Sequence, residues 1–443
     1  MPAGDAPKQN TSVFSGLATT LMVAASVVLV ALNWWGLRFR LRRRVDGWRR
    51  GAGLILRGEG ATFILSAFGL DTGAQARSSA TSFDAPRHVS ERLAAFLAGE
   101  AELHRRVRRG ELEDKSEPCT GPSYTLGFER WVEGPARFVR PDLWTGTDCS
   151  AARPQESGGT TDPLLNIICR ISDAGAVDIW VRVNHVGTDG APVQEALSRL
   201  ESQWGSRETV FFPTPEEFAP YAGPRRCPGR DDAAEAQVFI DFTPLLEWRK
   251  RMNESLPEPL TVGAALIWQM AQHPAFADRF IASAVQVRPS RGMGRGVSML
   301  VIRPSKYFSR RNGLANFARV FNRQVYLAHR RRNAGCKALD AAALIPVTLE
   351  LALLKSAMRR GGRDFGSMGL SILKDAKVFG APLADIGHDD GFLAIGGMDL
   401  PTRDGRRVGC VTIKAPAHKI ADYPKRLCEV IEACAEPQPV TAR

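Results

Sequence analysis

Two short runs of this sequence set a histidine four residues ahead of an aspartate, each directly after an alternating apolar pattern. The first is His185-Val186-Gly187-Thr188-Asp189-Gly190 and the second is His418-Lys419-Ile420-Ala421-Asp422, with Tyr423 in the glycine's place. An imidazole titrates near neutral pH, so it can take a proton from a hydroxyl, amine or thiol and make that group a nucleophile. Held at the end of a strand, the ring has a fixed position and an exposed tip. Asp189 suits the holding of the turn by local hydrogen bonds or a salt bridge, and Gly190 permits backbone angles that bulkier residues resist. The chemistry that fits is attack of an activated nucleophile on an acyl carbon, with a backbone N–H or a hydroxyl required to stabilise the oxyanion.

The elements that position these residues are legible. From Asp178 to Asn184, Ile179, Val181 and Val183 alternate with Trp180, Arg182 and Asn184, the period of a strand. Pro192 then marks a helix start, Val193, Ala196, Leu197, Leu200 and Trp204 form one stripe, and Gly205 is a stop. In the second half, Val411, Ile413 and Ala415 alternate with Thr412 and Lys414. Pro424 opens a helix with the stripe Leu427, Val430, Ile431 and Cys434. Strand, HxxxD, proline and amphipathic helix thus recur about 230 residues apart, which implies duplication of one module. The prolines 213, 215, 220, 224 and 228 mark a crossover between the copies. The expected division is a segment 1–50, a first module 51–212, a crossover 213–233, a second module 234–435 and a tail 436–443. A Pro/Gly/Ser-rich patch from Arg153 to Pro163 reads as a surface loop within the first module.

A chain of 443 residues suits two domains, and 44% hydrophobic with 24% charged residues are the proportions of a globular protein. The net charge of +12 is concentrated in part at Arg38, Arg40, Arg42, Arg43, Arg44, Arg49 and Arg50. No nucleic-acid-binding motif accompanies them, so nucleic acid is not the expected partner. They follow an uncharged stretch from Gln9 to Leu37, whose core, Val13 to Leu32, is rich in Val, Leu and Ala. About 20 such residues span a bilayer's hydrocarbon core. Trp34 and Trp35 fall where interfacial aromatics belong, and a basic cluster after the span faces the cytosol and attracts anionic lipid. The expectation is a single-pass anchor contacting membrane lipid through residues 13–50, with the large remainder cytoplasmic. A secretory signal carries its positive charge before the apolar core, the reverse of this order. The eight cysteines show no CxxC pair and no Cys/His cluster, so buried, reduced thiols and no metal site are expected.

HVGTDG (residues 185–190) resembles the HxxxDG signature of the chloramphenicol acetyltransferase-like, coenzyme A-dependent acyltransferase superfamily, which includes plant BAHD acyltransferases and peptide-synthetase condensation domains. The second half more specifically resembles the 2-oxoacid dehydrogenase acyltransferase catalytic domain. Gln237 to Arg251 is similar to that domain's opening strand and helix, and Leu260 to Pro274 to its first core helix. Phe392 to Met398 is similar to its late strand, and AHKIADY (417–423) falls where its DHRxxDG belongs. Ala417, Lys419 and Tyr423 depart from that pattern, and no lipoyl domain is seen in this chain. Residues 50–160 match little.

The resemblance implies an α/β fold of two such modules, mixed sheets flanked by helices, here preceded by one transmembrane helix. It implies His185 as general base, Asp189 as structural partner, and His418 with Asp422 as a relic or a second site. The implied donor is acyl-CoA or an acyl-carrier thioester, with no metal. Where single-module relatives place the site between subunits, a fused pair makes its own internal interface. Asp364-Phe365-Gly366-Ser367 partly resembles the BAHD DFGWG motif, and Ser367 and Ser371 are nearby hydroxyls; the oxyanion donor stays open. The expected function is membrane-anchored acyl transfer to a hydroxyl, amine or thiol. The alternative is an inactive scaffold or binding protein of the same fold.

Three other runs read as structural. His388-Asp389-Asp390-Gly391 is expected to be a polar turn ahead of a strand, and residues 292–296, Gly-Met-Gly-Arg-Gly, a hairpin turn. Ala341 to Leu354 is a short apolar stretch between basic flanks, read as a buried helix with an interfacial membrane helix as the alternative.

Overall fold

The computed structural model describes residues 62–71, 85–108, 115–130, 134–138, 161–172, 176–184, 187–188, 190–205, 211–218, 221–224, 233–276, 280–285, 297–330, 368–373 and 391–436. The expected anchor and basic segment (1–50), His185, Asp189, the runs 292–296, 341–354, 364–367 and 388–390, and most of the tail lie outside these residues. Among the described residues no helix is long and apolar enough to cross a membrane.

The chain runs β1 (Thr62–Asp71), α1 (Ala85–Gly99), β2 (Arg105–Arg108), β3 (Lys115–Pro118), β4 (Tyr124–Arg130), β5 (Thr161–Pro163), β6 (Leu165–Ile171), β7 (Ala176–Asn184) and α2 (Gly190–Trp204). It continues through β8 (Tyr221–Pro224), β9 (Ala233–Asp241), α3 (Thr243–Ser255), α4 (Val262–Met270), β10 (Phe280–Val285), β11 (Val297–Ile302), α5 (Ser305–Phe308) and α6 (Gly313–His329). Then follow β12 (Met368–Leu373), β13 (Gly391–Pro401), β14 (Arg407–Pro416), α7 (Ala417–Ile420) and α8 (Tyr423–Glu432). This is a mixed α/β fold with helices flanking its sheets.

Three sheets form, in the orders β1-β7-β6-β4, β11-β10-β12-β13-β14-β9-β8 and β3-β2-β5. The first sheet and the centre of the second are built alike. β4 pairs parallel with β6, β6 antiparallel with β7, and β7 antiparallel with β1. In the same way β12 pairs parallel with β13, β13 antiparallel with β14, and β14 antiparallel with β9. In both copies the opening strand leads to a helix, and the strand before the His/Asp run leads into another. The Pro-rich stretch around residue 220 is not all connector, because β8 lies within it and extends the second sheet beyond β9.

Helix boundaries follow local chemistry. α2 begins at Gly190, two residues before Pro192, and buries Val193, Ala196, Leu200 and Trp204. It ends where Gly205, at φ +75°, donates its N–H to Glu201 O at 3.0 Å, a left-handed stop that glycine makes cheaply. Thr261 caps α4 by accepting from Ala264 N at 3.2 Å. Every residue of α4 from Ala264 to Met270 is buried, so this helix is enclosed rather than amphipathic.

Each motif strand is covered on both faces. Val177, Ile179, Val181 and Val183 join the core under α1 and α2. Val411, Ile413 and Ala415 join the core under α3, α4, α6 and α8. The opposite faces meet one another: Ile168 and Trp180 of the first sheet pack with Phe239, Val408 and Cys410 of the second, through Phe138, Phe212 and Phe218. Ring centroids 5.2 Å apart for Phe138 and Phe212, and 4.5 Å for Phe218 and Phe239, make this an aromatic seam. A bridge from Phe212 to Thr402 and a two-pronged ion pair from Arg406 to Glu216 (2.8 and 3.0 Å) tie the crossover to the β13–β14 hairpin.

Candidate functional site

The first HxxxDG run leaves β7 after Asn184 and enters α2 at Gly190. Asn184 O accepts from Gly187 N at 2.9 Å and Thr188 N at 3.4 Å, so the chain folds back at once. Asn184 N donates to Leu164 O at 2.8 Å. A Cβ added at Gly187 would stand 2.2 Å from Leu164 Cδ1 and 3.2 Å from Val107 Cγ2. The glycine is therefore fixed by close approach, inside a motif whose consensus leaves that position open.

The small third sheet buttresses the same turn. Ser116 of β3 donates its hydroxyl to Gly187 O at 3.0 Å, and Arg105 of β2 donates Nε to Ser116 Oγ at 2.6 Å. Neither residue was singled out by the sequence. Both lie in the stretch that resembles nothing named, and a four-residue strand such as Lys115–Pro118 carries no periodic signal.

The face of β7 opposite its helices holds a buried charge network. Asp178, fully buried, accepts two hydrogen bonds of 2.7 Å from Arg137. Arg170 donates to Glu129 Oε2 and to Arg137 O, each at 3.0 Å, and its guanidinium lies 5.2 Å from the Trp180 ring centre. Bidentate geometry of this kind fixes the strand's orientation as well as offsetting burial of the charges.

The second half faces the first with a polar row. Ser371 pairs with Ala394, Ala394 with Thr412, and Thr412 with Gln237. Ala394 packs into the core of the motif-bearing half. Thr412 is 1% exposed, and its hydroxyl has no hydrogen-bond partner among the described residues. A buried hydroxyl left without a partner is an unsatisfied polar group that calls for an explanation.

His418 and Asp422 sit elsewhere in the architecture. Both are exposed, on α7 and at the start of α8, with Ile420 buried between them.

Other histidines are engaged structurally. His104 Nε2 lies 3.2 Å from Leu97 O, and His273 accepts from Ala275 N at Nδ1 and meets Glu429 at 3.4 Å. Burial pushes the Cys169 and Cys434 thiols up to about 12, and raises Cys428, so these sulfurs stay protonated and offer no thiolate nucleophile. Among the described residues no group of three His, Cys, Asp or Glu side chains could hold a metal ion.

No family model and no curated protein matches the sequence. Solved structures do. TRI101 of F. sporotrichioides, complexed with coenzyme A and T-2, is 12% identical, with 83% of this chain and 95% of that chain covered and a TM-score of 0.43. AB3403, a four-domain nonribosomal peptide synthetase, is 11% identical, with 89% of this chain and 33% of that chain covered and a TM-score of 0.48. The starter condensation domain of rhizomide synthetase RzmA is 11% identical, with 85% and 91% covered and a TM-score of 0.43.

Proposed function

We propose that the protein is an acyltransferase that moves an acyl group from a thioester donor, acyl-CoA or an acyl-carrier thioester, to a hydroxyl, amine or thiol acceptor. The observation that carries the reading is the HVGTDG turn itself, built between β7 and α2 and buttressed at Gly187 by a dedicated sheet. In this reading the His185 imidazole takes the acceptor's proton as the acceptor attacks the thioester carbonyl carbon. The tetrahedral oxyanion then collapses, the C–S bond breaks, and the imidazolium returns its proton to the departing thiolate. Asp189 holds the turn, and the Thr412 hydroxyl is a candidate donor to the oxyanion. Residues 13–50 tether the protein to a membrane with its large portion cytoplasmic, which favours a fatty donor or a lipid-linked acceptor.

The test is release of free thiol from short- to long-chain acyl-CoA by the full chain, in wild-type, His185→Ala and His418→Ala forms. The expected result is a loss of ~10²-fold or more in His185→Ala alone. Wild-type turnover in His185→Ala, or its abolition in His418→Ala, overturns the assignment.

A further inference from the structure

Between Asp278 and Asp340 the sequence has fourteen Lys and Arg and no Asp or Glu. The structure gathers much of this charge on one surface. On α6, Phe317, Ala318, Phe321 and Ala328 are buried, while Arg319, Arg323, Tyr326 and Arg330 form an exposed stripe at helical spacing. The Arg330 guanidinium lies 4.5 Å from the Tyr326 ring centre, and that ring is 53% exposed. Just ahead of the helix, Lys306, Arg310 and Arg311 are exposed with Phe308, which is 39% exposed.

We propose that the α5–α6 surface docks on an anionic lipid bilayer. Clustered cations attract the negative headgroup layer, and aromatic rings beside them insert at the interface, where an amphipathic ring is favoured. A polyphosphate partner such as duplex nucleic acid uses the cations but leaves Phe308 and Tyr326 exposed. These residues belong neither to the HVGTDG run nor to residues 13–50, so the proposal stands apart from the acyl-transfer and tether readings. Its effect is to hold this face of the protein against the headgroups.

The experiment carries p-benzoylphenylalanine in place of Tyr326 in the full chain, reconstituted in vesicles of phosphatidylcholine alone or with about a third phosphatidylserine, and reads lipid photoadducts by mass spectrometry. The expected result is an adduct yield at least ~10-fold higher with phosphatidylserine, lost in an Arg311→Glu/Arg319→Glu/Arg323→Glu variant and retained in the matching Lys variant. Folding of the charge-reversed form is checked by circular dichroism. Equal yields in the two lipids, no adduct in either, or transfer of the adduct to an added DNA duplex or polyglutamate overturns the proposal. Failure of the chain to remain with neutral vesicles counts against the tether and leaves the phosphatidylserine readout intact.

Discussion

Ser116 and Gly187 are 71 residues apart in the chain, yet the serine hydroxyl donates to the glycine carbonyl at 3.0 Å and so ties β3 to the turn that carries the histidine. Ser116 in turn accepts from Arg105, so one hydroxyl joins a strand pair to the HVGTDG turn. Ser116→Ala removes the bond and leaves the carbonyl and the guanidinium without that partner. The expected cost is about 1–2 kcal/mol in unfolding free energy, with thioester turnover reduced ~10-fold through misplacement of the turn. Denaturant unfolding and thiol release together check it. Ser116→Thr, which keeps the hydroxyl, should recover most of the turnover.

Gly187→Ala forces a methyl group to within 2.2 Å of Leu164 Cδ1. Overpacking of this kind costs about 1–3 kcal/mol, because either the Leu164 side chain or the turn must give way. Thermal unfolding of Gly187→Ala is expected to shift down, and Leu164→Ala in the same chain to recover part of the shift. Simple additivity of the two losses would count against a direct clash.

Thr412→Val separates catalysis from stability. The buried hydroxyl has no hydrogen-bond partner among the described residues, so removing it should leave stability unchanged or raise it by up to about 1 kcal/mol. If the oxyanion reading holds, turnover falls at least ~10-fold in the same protein. Unchanged turnover removes Thr412 from the site.

Glu216 gives an acid signature. The Arg406 hydrogen bond, above all, holds its carboxyl down at about 2 from an ordinary 4.5. The folded value lies below the unfolded one, so the contribution is complete above pH 4.5 and is lost as pH falls towards 2. Wild type should therefore exceed Glu216→Gln in denaturant midpoint near neutrality, and the two should converge as pH falls through that window. Glu216 is largely exposed, so the difference is small and shrinks with added salt.

The sequence by itself determined much of the local framework. A period of two fixed β7 and β14, a period of 3.6 fixed α2 and α8, and Gly205 ended its helix, because each signal is carried by neighbours in the chain. The strand pairings β4-β6-β7-β1 and β12-β13-β14-β9 follow the same parallel and antiparallel pattern. What only the tertiary structure decided is long-range. Trp180 and Arg182 look alike as alternating partners, but Trp180 is enclosed in the seam between the sheets, a fact that depends on Phe212 and Phe239 arriving from elsewhere. Likewise HxxxD reads the same in both halves, and only the structure shows His418 and Asp422 exposed on α7 and at the start of α8. Ser116, Arg105 and Thr412 carry no motif because their roles come from what packs against them. Linear patterns encode which face a residue takes, whereas the partner on that face is set by the packing of distant strands.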